Sequence, residues 1–483
     1  MIAFKGRYGM KQTSARRQID FLKGPVWQCI LKQGIPLTIA QLVHLLYNVV
    51  DRVYIGHMGD GSGMALTGVG LTFPIVTLIM GFAALFGTGG VPLFSIARGK
   101  GDNARAGVIL GNACTLIGIS SVVVTAIGYL FMRPILFAFG ASEASYVYAK
   151  EYLNVYLIGT AASMLSTGLN GYISAQGYPR IGMLSIVIGA IANIALDPLF
   201  IFVLHMGVAG AALATVLSQT ICAAWVLRFL IGKQNPVPLR ARNLALKGEI
   251  VSGIAKLGAA SFIMQGTTCL VQIACNATLQ RFGGDVYVGI MTVVNSVREI
   301  FMLPVNGIIS GSQPVISFNY GAKEYGRVRS GIRFNTLVGA AYTLVAWILV
   351  LVFPKTWFSV FSDDVQMIVL GVPELRIYFF GFVCMALQFA GQSAFQALGD
   401  AKHAIFFSLL RKAIIVVPLT LLLPRIGFGV NGVFLAEPIS NLIGGTACYL
   451  TMRLTVCRRI QKLSEQQTGK ESSHVSGTRE SIS

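Results

Sequence analysis

Charge is scarce in this sequence. Only 12% of its 483 residues are Asp, Glu, Lys or Arg, against about 25% in an average soluble chain. Acid is scarcest, with 19 Asp and Glu against 38 Lys and Arg. The eight cysteines form no CxxC pair and fall mostly inside apolar runs. That argues against a zinc ribbon or a disulfide framework and leaves them as small fillers. The five histidines are scattered and form no HExxH. No GxxxxGK[ST] occurs, and the GTGG at 87–90 has no lysine after it, so an ATP-driven P-loop machine is excluded. Neither a ladder of arginines nor a selectivity-filter-like run stands out. The first 24 residues are polar and basic, and the first apolar run is long enough to stay in a membrane, so a cleavable signal peptide is not expected.

What the sequence does have is apolar length. It is 54% hydrophobic with a mean hydropathy of +0.68. Its runs repeatedly reach the roughly 20 residues that a spanning helix needs. This composition predicts an all-α polytopic protein of the cell (inner, plasma) membrane. Twelve spans are expected at 34–57, 64–97, 105–132, 146–174, 181–205, 207–231, 250–280, 286–319, 329–353, 368–397, 403–424 and 428–456. A net charge of +19 would suit nucleic acid, but its placement argues against that partner. The basic residues sit in short segments between spans. The leader, the tail and the loops after even-numbered spans hold roughly 30 of the 38. By the positive-inside rule both termini are then cytoplasmic. The expected organisation is a basic leader (1–33), a first lobe of six spans (34–231), a basic linker (232–249), a second lobe of six spans (250–457) and a polar, disordered tail (458–483).

The two lobes are a repeat. A shift of 222 positions pairs Pro92 with Pro314, Gly99 with Gly321, Arg105 with Arg327, Tyr156 with Tyr378 and Gly177 with Gly399. It also lays GVAGAALA (207–214) over GVNGVFLA (429–436). One offset held over so long a stretch is the mark of an internal duplication. Six spans per copy is an even number, so both copies enter the membrane in the same direction. They should be related by a pseudo-twofold axis along the membrane normal, with a central cleft suited to alternating access.

Polar residues inside the spans carry the functional signal. The run IGMLSIVIGAIANIALDPLFIFV (181–203) holds Asn193, Asp197 and Pro198. Asn193 and Asp197 are four apart and share a helix face. Pro198 cannot donate to the carbonyl of Ile194, so a kink with a free oxygen is expected beside the carboxylate. An ionised carboxylate at the bilayer centre costs roughly 2.5–3.5 kcal/mol on insertion scales, and such residues usually line an ion path. Asp51, in NVVDRVYIG, is a second acid. The repeat partners of Asp51, Asn193 and Asp197 are Ile273, Ile415 and Leu419, so the scaffold does not need these polar groups. Brought together, two such carboxylates favour holding a shared proton. Equally, Asp51, Asn193 and Asp197 would hold a sodium ion, since hard cations take oxygen ligands. Asn170 and Thr215 are further oxygen donors. In the second lobe, Arg298, Glu299, Glu374 and Glu437 are the charged candidates, Glu437 being assigned to the cleft and Glu374 to either a salt bridge or the substrate. Methionine and aromatic side chains near such a cleft would suit flat cationic molecules.

Three segments then look familiar together: YNVVDRVYIGHMG (47–59), NGYISAQGYPRIGMLSIVIGAIANIALDPLFIF (170–202) and the paired GVAGAALAT and GVNGVFLAE. They resemble the multidrug and toxic compound extrusion (MATE) family, in its MepA-like bacterial branch. The resemblance implies twelve helices in two pseudo-symmetric six-helix lobes. It also implies antiport of cationic amphipathic drugs against protons or sodium, with no enzymatic activity and no cofactor. Asp51 matches the family's first-helix aspartate, Asn193 and Asp197 its fifth-helix pair, and Asn170 and Thr215 the surrounding polar positions. Where some members carry an acid in span seven or ten, this chain offers Gln272 and Gln388. A second-lobe cation site would therefore need Glu299 or Glu437. Small drug-like cations and the lipid bilayer are the expected partners, and the protein is read as a monomer. The rivals are a flippase or exporter of a lipid-linked or polar endogenous metabolite, and a carrier-like receptor without flux. The flippase needs a strongly basic cavity, and the arginines counted within the spans are few: Arg52, Arg298 and Arg376.

Overall fold

The structure is a computed structural model that describes residues 18–56, 62–139, 141–232, 235–361 and 365–467. The leader before residue 18 and most of the expected tail lie outside the described residues. No strand occurs among the described residues. Nine helices are single, membrane-length and apolar. They are α1 (Val26–Gly56), α2 (Gly68–Gly99), α3 (Asn103–Ala138), α5 (Pro179–Val203), α6 (Gly207–Ile231), α7 (Gly248–Gly284), α8 (Val286–Gly321), α9 (Tyr325–Val352) and α11 (Ala401–Ile426). A pair bent by 43°, Val365–Phe379 with Phe382–Ala397, makes α10. Two segmented rods complete the twelve. One is α4, formed by Glu143–Ile158 and Thr160–Ala175 on either side of Gly159. The other is α12, which runs from Gly429–Ser440 through a wide turn at Asn441–Gly445 into Thr446–Met452.

The largest boundary difference is at the start of the first span. α1 begins at Val26 rather than at residue 34, because Pro25 starts the turn and Phe21, Val26, Cys29 and Ile30 bury against Val315 of α8. Nor is the end of the leader free. Ile19 N–H donates to the Gly177 carbonyl at 2.9 Å, and Arg327 donates to the carbonyls of Phe21 and Gly24 at 2.7 and 2.8 Å. Residues 19–24 thus strap the loop before α5 to the first turn of α9. At Pro198 the helix continues as a wide turn over Leu199–Val203 instead of breaking sharply. There Leu204 N–H reaches back five residues to Leu199 O at 2.9 Å.

The internal repeat is visible in the backbone. Gly177 and Gly399 have φ of +91° and +79°, and Gly207 and Gly429 have +56° and +53°. These are left-handed conformations that glycine alone adopts cheaply. Across the pseudo-axis the lobes meet through α1 on α8 and, reciprocally, α7 on α2. A Cβ on Gly311 would strike Gly34, and one on Gly258 would strike the carbonyl of Leu85. On the axis itself Gly99 of α2 abuts the Phe318 carbonyl, while Gly321 of α8 abuts the Ile96 carbonyl. Gly99 and Gly321 are 222 positions apart, and so are Ile96 and Phe318. One apolar cluster runs through the first lobe from Ile55 and takes in Ile250 and Ile254 of α7, and others lie within residues 260–460.

Candidate functional site

α1 packs along α5, with Tyr54 edge-on to Phe202 at 6.1 Å between ring centres. That contact carries Asp51 to within electrostatic range of Asp197 and of Tyr152 on α4. Asp197 is wholly buried and Asn193 is 1% exposed. The Asn193 amide donates to Asp197 Oδ1 at 3.3 Å and reaches Thr215 Oγ1 on α6 at 3.5 Å. Asp197 Oδ2 and Asn193 Oδ1 are buried with no hydrogen-bond partner among the described residues. Orphaned buried oxygens beside a second carboxylate form a donor set for a hard monovalent cation or a proton. Among the described residues no group of three or more His, Cys, Asp or Glu forms a conventional metal cluster.

Asn170 sits differently. Its amide donates to Gly182 O at 3.1 Å and to Ser185 Oγ at 3.0 Å, tying α4 to α5 two turns from Asn193. Asn170, Asn193 and Thr215 all line one cavity of about 270 Å³ between α1, α4, α5, α6 and α8. Gln41, His44 and Tyr47 of α1, Gln219 of α6 and Gln313 of α8 complete its polar wall. No lysine or arginine lines it. Two glycines of α5 let the side chains of α4 and α6 pack closely against it beside the cavity. A Cβ on Gly189 would collide with Cys222 Sγ, and one on Gly182 with Asn170 Oδ1.

The second lobe is unlike the first. Glu437 is 4% exposed and is taken up by basic partners: Lys412 Nζ lies 3.0 and 3.2 Å from its two oxygens and Arg411 Nη1 lies 3.4 Å away. Arg411 also donates to Asn441 Oδ1 at 2.6 Å. Glu437 borders a small pocket of about 20 Å³ shared with Gln272, Asn295, Arg298, Tyr378 and Lys412. Gln272 donates to Asn276 Oδ1 at 3.1 Å and accepts from Asn295 at 3.3 Å. Gln388 is buried in a side-chain chain with Gln392 and Ser408 and lines none of these cavities. Glu299 is exposed and likewise lines neither. Glu374 is 3% exposed; of the two roles open to it, the salt bridge is not formed among the described residues.

The MatE family model matches the chain twice, over residues 36–199 and 260–422, one match per lobe. The chain belongs to the MATE family of transporters. It is 25% identical over 444 residues to the multidrug export protein MepA of Staphylococcus haemolyticus, covering 90% of this chain and 96% of that protein. Against MepA of Staphylococcus aureus the identity is 24% over the same coverage. Solved MATE structures share the fold. One in a bent conformation superposes with a TM-score of 0.86 at 23% identity, covering 95% of this chain and all of that one. A MOP superfamily transporter from Pyrococcus furiosus superposes at 0.83 and 24% identity, covering 92% and 98%. MATE proteins are integral plasma-membrane transporters and not enzymes.

The sequence of this MATE protein singles out Asp51 and Asp197, which the structure brings within electrostatic range of each other, but not its cavity wall or its buried cations. Gln41, His44, Tyr47 and Asp51 recur every three or four residues along α1, a polar stripe that periodicity alone would have exposed. Arg411 and Lys412 fall within span eleven and belong with the intramembrane basic residues, which Arg52, Arg298 and Arg376 alone under-count.

Proposed function

We propose that this MATE chain exports small cationic, amphipathic, drug-like molecules by antiport against protons or sodium. The carrying observation is the continuous polar path in the first lobe. It runs from the buried Asp197 carboxylate through Asn193 to Thr215 on the wall of the cavity. That wall carries no lysine or arginine and has Asp197 behind Asn193, which suits a cationic cargo. The rival cargo, a lipid-linked pyrophosphate, needs a strongly basic cavity, and this one has none.

In the proposed cycle Asp51 and Asp197 take up the coupling ion when the cleft faces outward. Neutralising them favours a bend of α1 near Tyr54–Gly56, which narrows the cavity and expels cargo. The inward-facing state releases the ion and rebinds cargo. With the basic loops facing the cytoplasm, both termini are cytoplasmic. The lobe contacts at Gly99 and Gly321 then close the cytoplasmic side, as expected for an outward-facing state.

Everted vesicles test the proposal. Uptake of a fluorescent lipophilic cation should require an imposed proton or sodium gradient. It should be abolished by Asp51→Asn or Asp197→Asn with protein levels unchanged. Gradient-independent uptake, or full activity in either variant, would overturn it.

A further inference from the structure

Superposing the repeats in sequence shows an inversion of polarity at the heart of the second lobe. The counterparts of Thr215, Ala190, Gly189 and Val76 are Glu437, Lys412, Arg411 and Arg298, while Tyr156 and Tyr378 are unchanged. Where the first lobe carries acids, this part of the second sets Arg298, Arg411 and Lys412 near the Glu437 carboxylate, with Arg411 and Lys412 buried and Arg298 half-buried. Glu437 already serves Lys412 and Arg411. Arg298 makes no hydrogen bond or ion pair among the described residues, and its Nε is buried and unpartnered. Glu299, next in sequence, is exposed and makes no ion pair with it. Arg298 feels the Glu437 and Glu299 charges only at longer range, and Glu437 is already held by Lys412 and Arg411, so a closer counter-charge is favoured.

The pocket in front of these groups supplies the place for one. Its volume of about 20 Å³ leaves room for one compact group. Arg298 and Lys412 line it, and so does Asn295, which has spent only one amide N–H on Gln272. Lys412 has spent two of its three N–H donors on Glu437. The Glu437 carboxylate lines the pocket too, but it is engaged by Lys412 and Arg411, and the remaining N–H groups of Arg298, Lys412 and Asn295 are donors.

We propose that Arg298, Lys412 and Asn295 form a binding site for one compact monovalent anionic group in the second lobe, of halide or carboxylate size. A free halide and the carboxylate of a zwitterionic cargo share this chemistry. The site is independent of the cation-coupling reading, since none of its residues touches Asp51 or Asp197.

The test uses the full-length protein in lipid nanodiscs, with gluconate as the bulky reference anion at constant ionic strength. Replacing gluconate with chloride, bromide or acetate should raise Tm saturably. The rise should vanish in Arg298→Gln and persist, weakened, in Arg298→Lys. Crystals grown in bromide should show an anomalous peak at Arg298. A response to halides alone assigns the site to a free ion, and one to acetate as well extends it to cargo carboxylates. Asn295→Asp places a like charge in the pocket and serves as a second probe if Arg298→Gln fails to fold; it should suppress the response. No saturable response in the wild type, or an unchanged one in Arg298→Gln and Asn295→Asp, would refute the site.

Discussion

At Glu437 a single carboxylate takes two hydrogen bonds from Lys412 and a longer contact from Arg411, all three side chains being 10% exposed or less. Removing one member of such a group leaves the others charged and unpaired, which costs about 3–5 kcal/mol. Glu437→Gln should therefore lower the thermal midpoint of the purified protein markedly. Adding Lys412→Met to it should recover part of the loss. If the double variant melts no higher than the single, the three residues are not acting as a charge group. This cluster also shows where reading by residue type stops. Asp51 and Asp197 were legible because an acid in an apolar run has few structural excuses. Arg411 and Lys412 were not, because a basic pair looks like the edge of a loop until its acid, on another helix, is known.

Helix packing sets the next scale. α5 lies against α6 only because Gly189 leaves space for Cys222, whose Sγ donates to the Ser185 carbonyl at 3.0 Å. Gly189→Ala should push the two helices apart, separate Asn193 from Thr215 and reduce drug efflux. Cys222→Ala frees that space, so Gly189→Ala with Cys222→Ala should regain transport; a double variant as inactive as the single would show that the fault lies elsewhere. Span positions were readable from hydropathy because the bilayer imposes a length on every helix. The fine form of the helices was not. The wide turn after Pro198 and the 43° bend of α10 depend on which carbonyls a neighbouring helix can satisfy, and hydropathy carries no trace of that.

For the molecule as a whole the repeat is the organising fact, and it was legible because one offset of 222 holds through both lobes. It makes a symmetric prediction. Gly99→Ala and Gly321→Ala each drive a methyl into a backbone carbonyl of the opposite lobe, whereas Gly326→Ala meets open space. The first two should impair vesicle transport to a similar degree and the third should leave it intact. A large difference between the first two would mean that the lobes do not rock about that axis.

The joint at Gly99 and Gly321 is backbone pressed on backbone, with no long side chain to stretch across a widening gap. Contact of this kind fades within a fraction of an atomic diameter. Such a seam is either sealed or parted, with no half-open setting between. For a pump that must never connect the two sides of a membrane at once, that abruptness is itself a safeguard against leak.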